Sequence, residues 1–396
     1  MRKVVPLLFL TLFSKFVVAQ KPLPKPANEY AAIDKIALQL PLLQVKSTQD
    51  IADFVNAHFR NNADKARAIF IWTATNIAYD VDNMFAIDFY ESKQHKIDKA
   101  IRSGKGICEN YAAIFNDVAG KCGIESFVIE GYTRQNGVAA FVPHAWCAAQ
   151  IDNAWYLFDP TWASGYVSNG KFTKKINNEY YKVAPAVSIK SHMPFDPMWE
   201  FLNYQVTNQE FYDEKTQVNK SKLYFSYTDS IVAYEKETDR EQLVSSARRI
   251  EGNGVKNALV YDRLRHIKEE LEVKNQHETV GEYNTAAADY NDAVNLFNVF
   301  INYYNNQFQP TKDDAGIKQM IDTAGEKLVS ARKHLENIHN ADAPTLALMS
   351  GLQNSIAQIQ NHVDEQKEFI DKYMNKSKMG RKMMFHKYTW MGMPLN

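Results

Sequence analysis

Three residues between positions 104 and 162 have the types needed for nucleophilic chemistry: Cys108, His144 and Asp159. A thiolate attacks carbonyl carbons, an imidazole moves protons near neutral pH, and a carboxylate can hold that imidazole in one tautomer. The order in the chain is thiol, imidazole, carboxylate, each in a different local sequence. The alternative interpretation of each residue is purely structural: a buried cysteine, a core histidine and an aspartate at a strand end.

Cys108 follows Gly104-Lys105-Gly106-Ile107, which predicts a tight turn. Apolar residues then recur at helical spacing and Gly123 is a plausible stop; the series is Ile107, Tyr111, Ile114, Phe115, Val118 and Cys122. The pattern predicts a helix with Cys108 in its first turn. There the positive end of the helix dipole favours a thiolate over a thiol.

Two apolar, aromatic-rich segments, residues 139–151 and 155–158, predict two strands. The polar segment Asp152-Asn153-Ala154 predicts the turn between them, with Asn153 and Ala154 as its central residues. We expect this hairpin to place His144 directly opposite Asp159, with Cβ atoms about 5 Å apart. A slip of one residue would destroy that pairing.

These motifs resemble the transglutaminase-like superfamily, whose members share a papain-type Cys-His-Asp site. The resemblance covers roughly residues 51–202 and lies in Gly106-Ile107-Cys108, His144-Ala145-Trp146 and Asp159-Pro160-Thr161-Trp162. It implies that Cys108 is the nucleophile, His144 the base and Asp159 the orienting acid. It also implies an α+β fold, a papain- or transglutaminase-like core with a helix-borne cysteine packed on an antiparallel sheet.

A later segment, residues 191–202, contains His192-x-Pro-x-Asp-Pro-x-Trp199. It resembles a segment after the catalytic core in the kyphoscoliosis-peptidase and cytokinesis-protein branch, of which this chain would be a bacterial exported member. Prolines that fix the backbone and an anchoring Trp199 give the segment a structural interpretation. A second catalytic role for His192 is the less favoured alternative.

The implied activity is cysteine-dependent acyl transfer, with hydrolysis of peptide or amide bonds preferred and a protein or peptide as substrate. Transglutaminase-type crosslinking is the second interpretation, because the sequence reveals no amine site. The third is a non-catalytic scaffold or binding protein of the cell envelope, whose helical region would provide the binding function. Neither a cofactor nor a metal site is expected, since the chain has no Cys-x-x-Cys pair.

Composition is that of an ordinary soluble protein, with 46 basic and 46 acidic residues. Nothing in this balance favours nucleic acid as a partner. Besides Cys108 there are two cysteines, Cys122 and Cys147, and the odd count of 3 leaves at least one free thiol. Cys122 and Cys147 could form a disulfide or remain buried thiols.

Residues 1–19 have the pattern of a secretory signal peptide: Arg2 and Lys3, an apolar run from Val4 to Phe13, then small residues up to Ala19. The pattern predicts export to the periplasm or the outside. Removing the signal would leave a net charge of about −3. No later run of apolar residues is long enough to predict a membrane segment in the mature chain.

The elements that must position the three residues follow from periodicity and caps. Helices are predicted from Ile51, preceded by Ser47, Thr48 and Asp50 as possible caps, and over 64–79 with Asp64 as N-cap. The polar loop 82–99 could rim a cleft. Trp72, Asn76 or Tyr79 could supply a donor to an oxyanion hole, although a core role is preferred for Trp72 and Tyr79.

The remainder of the chain predicts an all-α domain of long antiparallel helices, at 230–251, 255–307 with a possible break at Gly281, 314–339 and 344–373. Their apolar stripes predict mutual burial. Such a domain could also bind a protein partner or self-associate. The predicted organisation is a signal peptide at 1–19, a linker or N-terminal segment at 20–48, a catalytic domain at 49–203, a helical domain at 204–375 and a basic, methionine-rich tail at 376–396.

Overall fold

The computed structural model describes residues 28–88, 91–339 and 341–385. The chain divides into two compact units, Met1–His192 and Met193–Asn396. The predicted signal peptide, most of the predicted linker at 21–28 and the end of the predicted tail lie outside the described residues. Within the described ranges, no helix is long and apolar enough to cross a membrane.

The first unit combines helices with a central antiparallel sheet, as the α+β prediction requires. Its helices are α1 Ala31–Ala37, α2 Thr48–His58, α3 Asn62–Asn76, α4 Lys93–Ser103, α5 Cys108–Lys121, α6 Pro160–Ser164 and α7 Pro185–Ser188. Its strands are β1 Ala78–Tyr79, β2 Lys105–Gly106, β3 Ser126–Gln135, β4 Val138–Ala139, β5 His144–Ile151, β6 Ala154–Phe158, β7 Gly165–Ser168, β8 Lys171–Lys174 and β9 His192–Pro194.

The helix that carries Cys108 is the centre of this unit's core. Tyr111, Ile114, Phe115 and Val118 of α5 are all fully buried, which confirms the helical spacing read from the sequence. Phe115 stacks on Phe158 of β6 with ring centroids 5.1 Å apart. The predicted helix-on-sheet core is therefore confirmed, and its packing fixes where the first residue of α5 lies.

Local signals located the helices better than they located the helix ends. The predicted cap of α2 is confirmed, because Ser47 and Asp50 form a capping box. The N-cap of α3 is Asn61, whose side chain accepts the N–H of Asp64, so the prediction of Asp64 as N-cap is wrong by one turn. The predicted loop 82–99 is also wrong in its second half, where α4 begins after its own cap, Ser92.

The central sheet has the order β4-β3-β5-β6, and β9, which begins at His192, adds to β3. The longest strand, β3, was absent from the sequence predictions. The hairpin between β5 and β6 turns at Asp152 and Asn153, which both have positive φ, and Ile151 pairs with Ala154. Two-residue turns of this kind match the twist of paired strands.

This register corrects the predicted hairpin. Continuing the observed pairs from Cys147 and Phe158 puts Asp159 level with Trp146, so His144 is its diagonal neighbour rather than its direct partner. A turn centred on Asn153 and Ala154 would have paired Asp159 with Ala148, so the predicted turn was itself inconsistent with the expected pairing of His144 and Asp159. His144 and Asp159 therefore meet for a different reason, because β6 ends at Phe158 and Asp159 has left the strand.

Part of the segment predicted as a linker is folded. Helix α1 carries Asp34, whose carboxylate accepts two hydrogen bonds of 2.7 Å from Arg67 of α3. The guanidinium is fully buried and also lies 4.5 Å from the ring centroid of Tyr30. A buried charge requires such a partner, so this segment is part of the first unit.

The second unit is helical, with α8 Asn208–Tyr212, α9 Tyr227–Tyr234, α10 Asp239–Asn253, α11 Ala258–Asn305, α12 Asp314–Glu336, α13 Ala343–Met374 and α14 Lys378–Met383. The predicted helix 230–251 is wrong, because the chain forms α9 and α10 with a new cap at Thr238. Helix α11 continues through Gly281 without a break. Apolar residues of α11, α12 and α13 form one core, as the stripes predicted.

His192 is the last residue of the first unit, and residues 193–199 begin the second. Asp196 accepts a bidentate pair of hydrogen bonds from Arg249 of α10. Trp199 packs edge-on against Tyr234 of α9 with ring centroids 5.2 Å apart. The predicted anchoring role of Trp199 therefore operates within the helical unit, whereas His192 belongs to the first unit.

Candidate active site

Cys108 is the first residue of α5, directly after the N-cap Ile107. The side chain of Asn110 fixes this helix start: its oxygen accepts the N–H of Ile107 at 2.8 Å and its nitrogen donates to the carbonyl of Lys96. Gly106 is required by this close approach, because a Cβ there would lie 2.7 Å from the Cβ of Asn110. The glycine before the cysteine therefore serves packing, and Cys108 itself is 4% exposed.

His144 lies at the start of β5 and contacts both other predicted site residues. Its Nε2 is 2.7 Å from Oδ2 of Asp159, and Cys108 lies close enough to contribute to the raised pKa of its imidazole. A carboxylate can only accept, so Nε2 carries the hydrogen and Nδ1 is the nitrogen left to face the thiol. The structure thus brings together all three residues that the sequence singled out.

Asp159 owes its position to the Asp-Pro-Thr-Trp sequence. It is the N-cap of α6, with Pro160 in the first turn, and its Oδ1 accepts the N–H groups of Thr161 and Trp162, both at 2.9 Å. Proline fits a first helical turn because its N–H would be unsatisfied there. One carboxylate oxygen is therefore fixed by the backbone, and the other, Oδ2, is left to the imidazole.

His192 is a fourth member of the cluster, which sequence reasoning weighed and set aside. Its Nε2 lies 3.1 Å from the same Oδ2 of Asp159, and its Nδ1 lies 2.8 Å from Oγ of Ser191. The ring is buried among aromatic side chains, with its centroid 4.7 Å from that of Trp162. The available signal was the histidine of the His-x-Pro-x-Asp-Pro-x-Trp segment, but nothing in that local sequence shows which carboxylate it meets.

Charge couples these groups strongly. Burial alone would lower the pKa of His144, but the charge and hydrogen bond of Asp159, together with Cys108, raise it to about 10. Burial alone would raise the pKa of Asp159, but the charge and hydrogen bonds of the two histidines hold it well below its usual range. Burial lowers the pKa of His192 although Asp159 opposes it. The cluster therefore holds a carboxylate, a protonated His144 and a neutral His192 at neutral pH.

The three candidate oxyanion donors differ in the hydrogen bonds that they already make. Trp72 donates its indole N–H to the carbonyl of Leu40 at 2.8 Å, and Asn76 donates to the carbonyl of Trp72 at 3.0 Å. Burial raises the pKa of the Tyr79 hydroxyl to about 12, and the charges of Cys108 and Asp159 add to this rise. Tyr79 is therefore the candidate near the thiol, and its hydroxyl remains a proton donor.

The other two cysteines lie in different surroundings. All three thiols are free, so Cys122 and Cys147 form no disulfide. Burial raises the pKa of Cys122 to about 11 and that of Cys147 well above its ordinary value. Both are therefore poor nucleophiles near neutral pH.

His144, Asp159 and His192 also have the donor atoms of a metal site, with one atom of each within 4.8 Å of the others. In the structure both imidazoles already bond to a single carboxylate oxygen. A metal would have to replace both of these protons. The arrangement therefore fits proton holding, and we assign no metal to it.

A sequence model of the family described as "Transglutaminase-like superfamily" matches residues 49–160. This range contains α5, both strands of the hairpin and all three predicted site residues. Residues 49–160 are therefore a transglutaminase-like domain, with the α+β fold of that superfamily.

Among known proteins, kyphoscoliosis peptidase of Mus musculus is 28% identical over 215 residues, which are 52% of this chain and 31% of the relative. Kyphoscoliosis peptidase of Homo sapiens is 29% identical over 169 residues, 41% of this chain and 25% of its own. The chain spans less than a third of the length of these relatives. Its transglutaminase-like domain belongs to their branch of the superfamily.

Among solved structures, the periplasmic domain of TgpA from Pseudomonas aeruginosa is 21% identical. The match covers 33% of this chain and 48% of that one, with a TM-score of 0.24.

Proposed function

We propose that this protein is a cysteine-dependent acyl-transfer enzyme that hydrolyses peptide or amide bonds, with Cys108 as nucleophile, His144 as proton carrier and Asp159 as orienting acid. The observation that carries the proposal is the place of His144, which bonds to Asp159 at 2.7 Å and lies near enough to Cys108 for the thiol to contribute to its raised pKa. A core histidine needs one partner, whereas a histidine between a thiol and a carboxylate has the arrangement of a catalytic base.

In the proposed acylation, the sulfur of Cys108 attacks the amide carbonyl carbon, and the C=O electrons move to the oxygen. As the oxyanion collapses, the C–N bond breaks and His144 gives its proton to the leaving amine. Deacylation reverses these roles: His144 takes a proton from water, the hydroxide oxygen bonds to the carbonyl carbon, and the S–C electron pair returns to sulfur.

The oxyanion needs donors beside the thiol. The first backbone N–H groups of α5 have no partner within the helix and lie next to Cys108. The Tyr79 hydroxyl, which stays protonated at neutral pH, is the side-chain donor that we assign to this role. We assign the role to neither Trp72, whose one N–H bonds to a backbone carbonyl, nor Asn76, whose amide nitrogen is bonded to the carbonyl of Trp72 on its own helix.

Transglutamination is the second outcome of the same acyl-enzyme, with an amine in place of water. Both reactions require Cys108, so a nucleophile variant does not separate them. Incorporation of a labelled primary amine into a glutamine-containing protein, compared with release of free carboxylate, does separate them.

Thiol alkylation tests the proposal without a known substrate. A thiol with a pKa of about 11, as for Cys122, is ionised at pH 7 in about one molecule in 10⁴. We therefore expect iodoacetamide at pH 7 to label Cys108 well before Cys122 and Cys147, as mapped by mass spectrometry. Equally slow alkylation of all three thiols would instead favour a non-catalytic scaffold protein.

Turnover is tested with an unbiased peptide library, in which Cys108→Ala is compared with wild type. The matched control is Cys122→Ala, which removes a buried free thiol of the same unit that has no imidazole partner. We expect Cys108→Ala to abolish cleavage and Cys122→Ala to retain it. Cleavage that survives Cys108→Ala would contradict the assignment of the nucleophile.

Export is a separate proposal, supported by the sequence of residues 1–19. If it is correct, the full chain expressed in a Gram-negative host loses this segment and appears outside the cytoplasm. N-terminal sequencing of the protein from each fraction is the measurement. Retention of Met1 on cytoplasmic protein would contradict export.

A further inference from the structure

His192 lies in the same buried cluster as the proposed triad, and the triad chemistry does not require it. Its Nε2 is 3.1 Å from Oδ2 of Asp159, the oxygen that also bonds to His144 at 2.7 Å. The carboxylate thus receives one imidazole from the start of β5 and another from the start of β9. A papain-type site needs only the first of these contacts.

The tautomer of His192 follows from its two partners. Because a carboxylate only accepts, Nε2 of His192 carries the hydrogen. Its Nδ1 then accepts from the hydroxyl of Ser191 at 2.8 Å. Both ring nitrogens are used, and this fixes the imidazole as a neutral donor pointing at Asp159.

Aromatic side chains hold the ring in this orientation. Its centroid lies 4.7 Å from that of Trp162, 5.1 Å from that of Trp146 and 6.4 Å from that of Tyr180. The two tryptophans also flank His144, at 5.5 and 6.1 Å. The same rigid walls therefore orient both histidines, in surroundings where hydrogen bonds are strong because water is excluded.

A cavity of about 80 Å³ adjoins the cluster. Asp159 and His192 both line it, together with Tyr180, Ser188 and Ser191. The volume is enough for water. With His192 in place, Oδ2 of Asp159 receives two imidazole donors; removing the ring would open that oxygen to water from the cavity.

We propose that His192 is a positioning residue of the site: its Nε2–H holds Oδ2 of Asp159 in the orientation that His144 needs and keeps cavity water from competing for that oxygen. This inference rests on the proposed function. His192 acts through Asp159 and touches neither the thiol nor the reacting carbonyl.

The test compares His192→Ala, His192→Gln and the control His95→Gln in the full chain. The glutamine amide nitrogen reaches about as far from the backbone as Nε2 and keeps a donor, whereas alanine removes it. His95 is a histidine of the same unit whose side chain is 61% exposed and pairs with Glu91. The readouts are kcat and KM on a peptide cleaved by wild type, the pH profile, and the alkylation rate of Cys108.

We expect His192→Ala to lower kcat and the alkylation rate by about 10- to 100-fold with KM little changed, the effect of losing one hydrogen bond to a charged group. The alkaline limb of the profile moves to lower pH, since Asp159 then holds the proton of His144 less firmly. His192→Gln stays within about threefold of wild type, and the control is unchanged. A lower melting temperature with wild-type kcat and profile in His192→Ala would show a purely structural role and overturn the proposal.

A readout that needs no turnover separates this inference from the enzymatic one. Nitrogen-15 NMR of the labelled histidines reports the tautomer of His192 and the titration of His144. We expect His192 to carry its hydrogen on Nε2, and the titration of His144 to shift in His192→Ala. A hydrogen on Nδ1, or an unchanged His144 titration, overturns the role of His192 whether or not the protein cleaves peptides. Coupled histidines in a protein with no turnover and no selective alkylation would overturn the enzymatic proposal alone.

Discussion

Asparagine in place of Asp159 is the most informative single change. The carboxylate accepts four hydrogen bonds, two from backbone N–H groups at Oδ1 and two from imidazoles at Oδ2. An asparagine amide has one oxygen, which accepts, and one NH₂ group, which donates. Either the two backbone N–H groups or the two imidazoles must therefore face the NH₂ group in place of a carboxylate oxygen. The backbone N–H groups of Thr161 and Trp162 cannot change, whereas an imidazole can change tautomer. We therefore expect the NH₂ group to face His144 and His192.

The consequences for the two histidines differ. His192 can move its hydrogen to Nδ1 and donate to the Ser191 hydroxyl, 2.8 Å away. Without the charge of the carboxylate, His144 loses its second proton, and its one remaining hydrogen would have to lie on Nδ1, the nitrogen left to face Cys108. It could then no longer take a proton from the thiol. In a serine triad this wrong tautomer lowers kcat by about 10⁴-fold, which is about 5 kcal/mol of transition-state stabilisation.

The assay is peptide turnover by wild type and Asp159→Asn, with Cys108 alkylation as a second measure that needs no substrate. Asp152→Asn is the control, because Asp152 lies in the hairpin turn with φ of 52°, a conformation that asparagine also adopts. We expect the control to match wild type. A correctly folded Asp159→Asn protein within tenfold of wild type in both assays would refute the assignment of Asp159.

Three further predictions concern stability. The pKa of His144 is raised to about 10 and that of Asp159 is lowered. The raised pKa of His144 therefore stabilises the fold fully below its ordinary pKa of 6.5, and this stability is lost as pH rises towards 10. The lowered pKa of Asp159 stabilises the fold above its ordinary value of 3.8, and this stability is lost on acidification. Urea unfolding across pH measures both, and wild-type pH dependence in a variant lacking both groups would contradict this coupling. Arg67→Ala should lower the free energy of unfolding by about 3–5 kcal/mol, because it leaves Asp34 without the buried partner that binds it at 2.7 Å. A decrease below about 1 kcal/mol in the same urea assay would contradict a stabilising role of this ion pair. Gly106→Ala should lower the melting temperature and slow alkylation of the site thiol, since the new Cβ lies 2.7 Å from a Cβ in the first turn of α5; a fully reactive, equally stable variant would show that the helix start tolerates the methyl group.

Features set by nearby residues were largely predictable. The helix that begins at Cys108 follows from a glycine turn and an apolar repeat within 20 residues, and α11, α12 and α13 follow from their long stripes in the same way. Helix ends were less reliable, as Asn61 shows, because several polar residues near a helix start can cap it. The split of 230–251 into α9 and α10 likewise depends on which of several such signals, here Thr238, the packing uses.

Features set by distant contacts were missed or reached by the wrong route. The hairpin register was wrong, yet His144 still meets Asp159, because the aspartate caps α6 after the strand has ended. Helix α1 lies in a stretch predicted as a linker, and only the buried contact from Asp34 to Arg67 shows that it is part of the fold.

The sequence by itself determined which chemical groups this protein has to work with: a thiol at a helix start, an imidazole on a strand and a carboxylate before a proline. Those assignments depend on residue type and short-range spacing, which the linear sequence contains. Only the tertiary structure decided that a second imidazole, His192, meets the carboxylate of Asp159 from 33 residues further along the chain. Such a contact is fixed by sheet packing and aromatic walls, and no local pattern in the sequence encodes it.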